Sequence, residues 1–168
     1  ALPIQLAATG LPNYTLKWYT VATLGTASTT APTIVTSPAG SKTYYVSQKV
    51  GAGLESSRTP ITVNIIALPP TAGTIVPSDA ALCKYVGQST EFTLTTPAVT
   101  TAGTSYVWTV PTALINKVNT NGSTTNVLTV NLSGVTQTSG GDIGNIGVRV
   151  KNATGCVSAT EKTLTLKT

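Results

Sequence analysis

The chain has 168 residues, room for one domain or two small ones, and only 9% of them are charged, with no His and no Met. Five acids (Glu55, Asp79, Glu91, Asp142 and Glu161) are too few and too scattered for an acidic ligand cluster, and the lack of His removes the commonest general base and metal ligand. Ten Lys and Arg give a net charge of +5, yet only Arg149 and Lys151 lie close together in sequence, so the charge does not track a phosphate backbone and nucleic acid is not an expected partner.

Thr supplies 34 positions, and with Val, Ile, Tyr and Trp it makes a composition suited to pleated, half-buried surfaces. From the N-terminus, Pro12-Asn13 marks a turn, and Tyr14 to Tyr19 then alternates apolar and polar residues, which predicts a strand. Within it Leu16 and Trp18 share one face. After the turn at Pro38-Ala39-Gly40, Tyr44 and Val46 again share a face, so these four residues are the expected core of the first part, and Tyr19 and Tyr45 point the other way. Ile61 to Ile65 is the next alternating run. Ala67-Leu68-Pro69-Pro70 then interrupts the pattern, because Pro cannot donate to a sheet ladder and two in a row favour an extended, semi-rigid connection.

This places a domain boundary there, giving domains at 1–67 and 68–168. The first is small for a seven-stranded sandwich and is expected to be short of an N-terminal strand. In the second, strands are expected from about Thr90, at Tyr106–Val110, Val127–Leu132 and Ile146–Val150, with turns at Asn121-Gly122-Ser123 and at Ser139 to Asp142. Tyr106, Trp108 and Val110 share a face, and Trp108 reads as the core residue of a central strand. Short strands with regular turns and no helical stripe give the fold class: all-β, two tandem β-sandwich domains arranged end to end.

Cys83 and Cys156 are an even count, and without His or further Cys a zinc site is not expected. Two readings stand. A disulfide across the 73 residues from position 83 to position 156 would stabilise by about 4 kcal/mol in the chain-entropy model, and the other reading is a pair of free thiols. No stretch reaches the roughly 18 apolar residues of a membrane span, since Val63 to Val76 is broken by Pro69 and Pro70. Four Asn-X-Ser/Thr sequons, at Asn13, Asn121, Asn131 and Asn152, arise easily by chance in so Thr-rich a chain. Ser and Thr are plentiful, but no activating base is recognisable, so no catalytic residue and no cofactor are expected.

Trp18 to Gly25, Ala31-Pro32-Thr33, Tyr44-Tyr45-Val46-Ser47-Gln48 and Leu54-Glu55-Ser56-Ser57-Arg58 resemble, in order and spacing, the immunoglobulin-like repeats of very large surface adhesins of Bacteroidota. Those repeats often carry a Cys where Leu54 stands. The second part, through Ala72-Gly73-Thr74-Ile75, Cys83, Gly87-Gln88, Tyr106 to Pro111, Val148 to Asn152 and Gly155-Cys156-Val157-Ser158, resembles the PKD-like domains of the same proteins. Alternation of the two modules is similar to the gliding-motility adhesins of that phylum. The resemblance implies a non-catalytic structural segment exported by the type IX system to the cell surface. Its partners would be neighbouring repeats of the same chain, the gliding machinery through other parts of the protein, and surface polysaccharide. Cys83 and Cys156, each at a strand end, are expected to form a clip at one end of the second sandwich. The rival reading is a secreted carbohydrate-binding module, in which Tyr19 and Tyr45 would form a stacking platform if their strands were neighbours.

Overall fold

The computed structural model describes residues 4–119, 125–136 and 141–167. The predicted turn at Asn121-Gly122-Ser123, and Ser139 and Gly140 of the following one, lie outside these residues. The chain divides into two compact units, Ala1–Ala67 and Leu68–Thr168.

The first unit holds β1 (Ile4–Gln5), β2 (Thr15–Tyr19), β3 (Thr33–Ile34), β4 (Gly40–Lys49) and β5 (Thr59–Ile65). β1 pairs with β3, and a second sheet runs β2-β4-β5, all antiparallel. The turn into β2 places Asn13 at φ 69°, the left-handed region that Asn tolerates better than most residues. Alternation then sets the faces of the larger sheet. Leu16 and Trp18 lie beside Gln48 and Val46, and Trp18 is 3% exposed while Leu16, Tyr44 and Val46 are half-buried. Among the described residues, Trp18, Tyr19 and Ile34 are the buried hydrophobic side chains of this unit, so its core is thin. Among the described residues β5 has a hydrogen-bonded neighbour on one side only, and Pro60 sits in it, as expected of a residue that cannot donate to a ladder.

The second unit is larger and better filled. Its strands are β6 (Val76–Pro77), β7 (Glu91–Thr95), β8 (Ser105–Thr109), β9 (Val127–Asn131), β10 (Asp142–Lys151) and β11 (Lys162–Lys167), with short 3-10 turns at Leu82–Tyr85 and Thr112–Leu114. Sheets β6-β7-β9 and β8-β10-β11 face each other. Phe92, Leu94, Leu128 and Val130 from one meet Tyr106, Ile146, Val148, Val150 and Leu166 from the other, and each is 5% exposed or less. The Tyr106 hydroxyl accepts the Val99 N–H at 2.6 Å, fixing the β7–β8 connection to the strand it enters.

One core expectation needs correcting. Trp108 packs against this core but is only half-buried, and its Nε1–H donates to the Thr125 carbonyl at 3.1 Å. Alternation identified its inward face, but β8 is an edge of its sheet and β10 is the central strand.

The two units use the same plan. β2-β4-β5 corresponds to β8-β10-β11: Trp18 pairs with Val46 as Trp108 pairs with Val148, and β4 and β10 are both ten residues long. β1-β3 likewise corresponds to β7-β9. Among the described residues the first unit has no counterpart of β6.

Candidate functional site

The outward face of β2 and β4 gathers most of the first unit's polar chemistry. Register places Thr15 beside Lys49, Lys17 beside Ser47 and Tyr19 beside Tyr45. The two tyrosines of the proposed platform are therefore direct neighbours, on the expected face. They are nevertheless not an open platform. Tyr19 is 6% exposed, Tyr45 is half-buried, and the Arg58 guanidinium carbon lies 3.3 Å from the Tyr19 ring centroid. Arg58 is held there by an Nη1–H bond to the Val21 carbonyl at 2.8 Å. A sugar ring would have to displace an anchored cation to stack on Tyr19.

Glu55 joins this cluster from the β4–β5 connection. Its Oε1 accepts from the Tyr19 hydroxyl and from Ser47 Oγ, each at 2.6 Å. The connection is fixed by Ser56, whose N–H donates to the Gln48 carbonyl at 3.0 Å while its Oγ accepts the Gln48 N–H at 3.0 Å. The Ser47 hydrogen bond, with that from Tyr19 and the nearby charges of Arg58 and Lys49, holds the Glu55 carboxyl below its ordinary value. The same Glu55 hydrogen bond raises the Tyr19 phenol above its ordinary value, helped by burial. Glu55 is thus a carboxylate and Tyr19 a neutral phenol at neutral pH. The arrangement fixes side chains and activates none of them.

The second unit repeats the connection with different residues. After β10, the Ser158 N–H donates to the Val150 carbonyl at 2.8 Å, and its Oγ accepts the Val150 N–H at 3.2 Å. Cys156 occupies the place of Leu54, two residues before the Ser in each case. Leu54 is 95% exposed and Cys156 half-buried, with its Sγ accepting from Thr154 Oγ1 at 3.7 Å. Sequence inspection missed this correspondence, although Leu54-Glu55-Ser56 and Cys156-Val157-Ser158 stand at equal distances from their preceding ten-residue strands.

The expected clip between Cys83 and Cys156 is not formed: both thiols are free, Cys83 exposed in the turn before β7. Topology gives the reason. Cys83 lies at the pole where β7 begins and β9 ends, a pole closed by the Gly87 N–H bond to the Leu132 carbonyl at 3.0 Å. Cys156 lies at the opposite pole, where Lys151 pairs with Ser105 and a Cβ on Gly103 would fall 2.8 Å from that of Ala153. A strand of five residues separates the poles by about 16 Å, whereas disulfide-bonded Cα atoms sit roughly 4.4–6.8 Å apart.

Among the described residues, no group of three or more Cys, Asp or Glu is placed to hold a metal ion, and no helix is long and apolar enough to cross a membrane. No curated protein matches the chain. Residues 3–66, nearly the whole first unit, match the family model described as Ig-like domain, CHU_C associated, so this unit is similar to an immunoglobulin-like domain of the Bacteroidota type.

Proposed function

We propose that the chain is a non-catalytic structural segment of a large, filamentous cell-surface adhesin of the kind used in gliding motility and surface attachment, an immunoglobulin-like unit followed by a PKD-like unit. The match of residues 3–66 to a non-catalytic immunoglobulin-like family of Bacteroidota surface proteins carries this reading. The repeated plan of the two units supports it, because modules of one architecture in tandem suit a protein whose work is reach and load-bearing. Neighbouring repeats of the same chain and the gliding machinery, engaged through other parts of the protein, are its proposed partners. Pro69 and Pro70, just past the boundary between the units, fix φ near −65° and remove two N–H donors, so no sheet ladder continues through them. The covered Tyr19 ring counts against the rival module that stacks sugars on Tyr19 and Tyr45.

Antibodies raised against the segment test the placement. Labelling of intact, unfixed cells is expected, and labelling only after permeabilisation would overturn it.

A further inference from the structure

We propose that the groove on the outer face of β2 and β4 binds the uronate residues of an acidic polysaccharide. The groove has a volume of about 330 Å³ and is lined by Thr15, Lys17, Ala27, Lys49, Gly51 and Glu55. Lys17 and Lys49 are diagonal neighbours across the β2–β4 pair, with backbones roughly 7–8 Å apart, so their ammonium groups can flank a single carboxylate. Both residues are half-buried. Among the described residues, neither ammonium makes a hydrogen bond or an ion pair within 4 Å. Lys42, by contrast, donates to the Val35 carbonyl at 3.1 Å. Lys49 feels the Glu55 charge, but that carboxylate is already held by Tyr19 and Ser47, and two half-buried ammonium groups with no hydrogen-bonded anion are the observation that points to one.

Glu55 narrows the class. Its Oε1 is occupied by Tyr19 and Ser47, and no described hydrogen bond reaches its Oε2. The face thus carries three cations (Lys17, Lys49 and Arg58) against one carboxylate, leaving two positive charges beside a fixed, open acceptor. A phosphate diester or a sulfate monoester group has no hydroxyl of its own to offer that acceptor and is repelled by it. A uronic acid presents a carboxylate to the two lysines and ring hydroxyls to Glu55 Oε2 and the Thr15 hydroxyl. Recognition is by charge and hydrogen bonding, so the covered Tyr19 ring is no obstacle. A single such site is weak, and a repeated module strengthens it by effective concentration. The inference goes beyond the adhesin reading. It concerns the surface of the first unit, and binding by the purified chain stands or falls independently of where the whole protein is displayed.

Affinity electrophoresis of the 168-residue chain in native gels containing alginate, a polyuronate, is the test. Retardation that grows with alginate and falls with salt is expected, weakened at least fivefold in the Lys17→Gln, Lys49→Gln double variant. The charge-matched Lys162→Gln, Lys167→Gln variant in the second unit should keep it. Poly-glutamate, which has carboxylates but no ring hydroxyls, and dextran sulfate, which has hydroxyls and sulfate esters but no carboxylates, should retard the chain less than alginate. No retardation by alginate, equal loss in both double variants, or retardation by poly-glutamate or dextran sulfate equal to that by alginate would each overturn the proposal.

Discussion

Ser56 and Ser158 make the same pair of bonds: each donates its N–H to, and accepts on Oγ from, the penultimate residue of the preceding ten-residue strand, Gln48 in the first unit and Val150 in the second. Their surroundings differ. Ser158 is 0% exposed and its own hydroxyl donates to the Thr160 carbonyl at 3.1 Å, whereas Ser56 is exposed. Removing a buried acceptor leaves a donor without water to replace it, at about 1–3 kcal/mol, but water substitutes at an exposed site. Ser158→Ala is therefore expected to destabilise by that amount and Ser56→Ala by less than about 1 kcal/mol, read from chemical denaturation. Equal losses would contradict the role of burial.

Core and surface leucines separate in the same way. Leu94 is fully buried, so Leu94→Ala should cost about 2–5 kcal/mol through lost contacts and the cavity left behind. Leu54 is 95% exposed, and Leu54→Ala should stay within about 0.5 kcal/mol. A urea titration of each variant checks both figures.

Gly144 sits at φ 132° at the register shift of β10, and a Cβ there would meet the Pro111 Cβ at 2.7 Å. Both backbone strain and overlap oppose a side chain. Gly144→Ala should destabilise by about 1–3 kcal/mol, seen as a lower midpoint of thermal unfolding. Gly87, also at positive φ but with open space around it, should suffer from strain alone and lose less on substitution.

The pH dependence of the first unit follows from Glu55 and Tyr19. The folded-state pKa of Glu55 is depressed, so its contribution is present above the ordinary value of 4.5 and is lost as pH falls through the lower folded value. That of Tyr19 is raised, so its contribution is present below 10.0 and is lost as pH rises beyond it. Stability should therefore decline on both the acid and the alkaline side. Glu55→Gln should flatten the acid limb, and an unchanged acid limb in denaturation curves from pH 3 to 7 would refute this.

Both thiols should react with a chromogenic disulfide reagent without prior reduction, Cys83 faster than the less exposed Cys156. A monomer two mass units lighter than the reduced chain would contradict the polar separation of the two sulfurs.

Much of this was legible in the sequence, because alternation reports which face a residue occupies. Trp18, Val46 and Tyr106 fell on the faces expected of them, and the Ile146–Val150 run lies in a strand as expected. What alternation does not report is the neighbour on either side, and so Trp108 was placed on a central strand when β8 is an edge. β1, β3 and β6 are two residues long, too short to show any period. Tyr19 points outward as expected, but it is covered by Arg58, a contact 39 positions away along the chain that no local pattern encodes. Cysteine count suggested a bridge that only the order of strands could exclude.

Pro60 carries a consequence beyond its own strand. Identical or similar sheets tethered along one polypeptide meet one another at high local concentration, during synthesis above all, and an unpaired edge is where two such sheets would zip together into a misfolded aggregate. A missing donor near the start of β5 interrupts that zipper on the side where β5 has no neighbour. β11, the equivalent strand, begins with Lys162 and ends with Lys167, whose charges resist the same approach. The two units thus protect equivalent edges by different means, one by geometry and the other by repulsion.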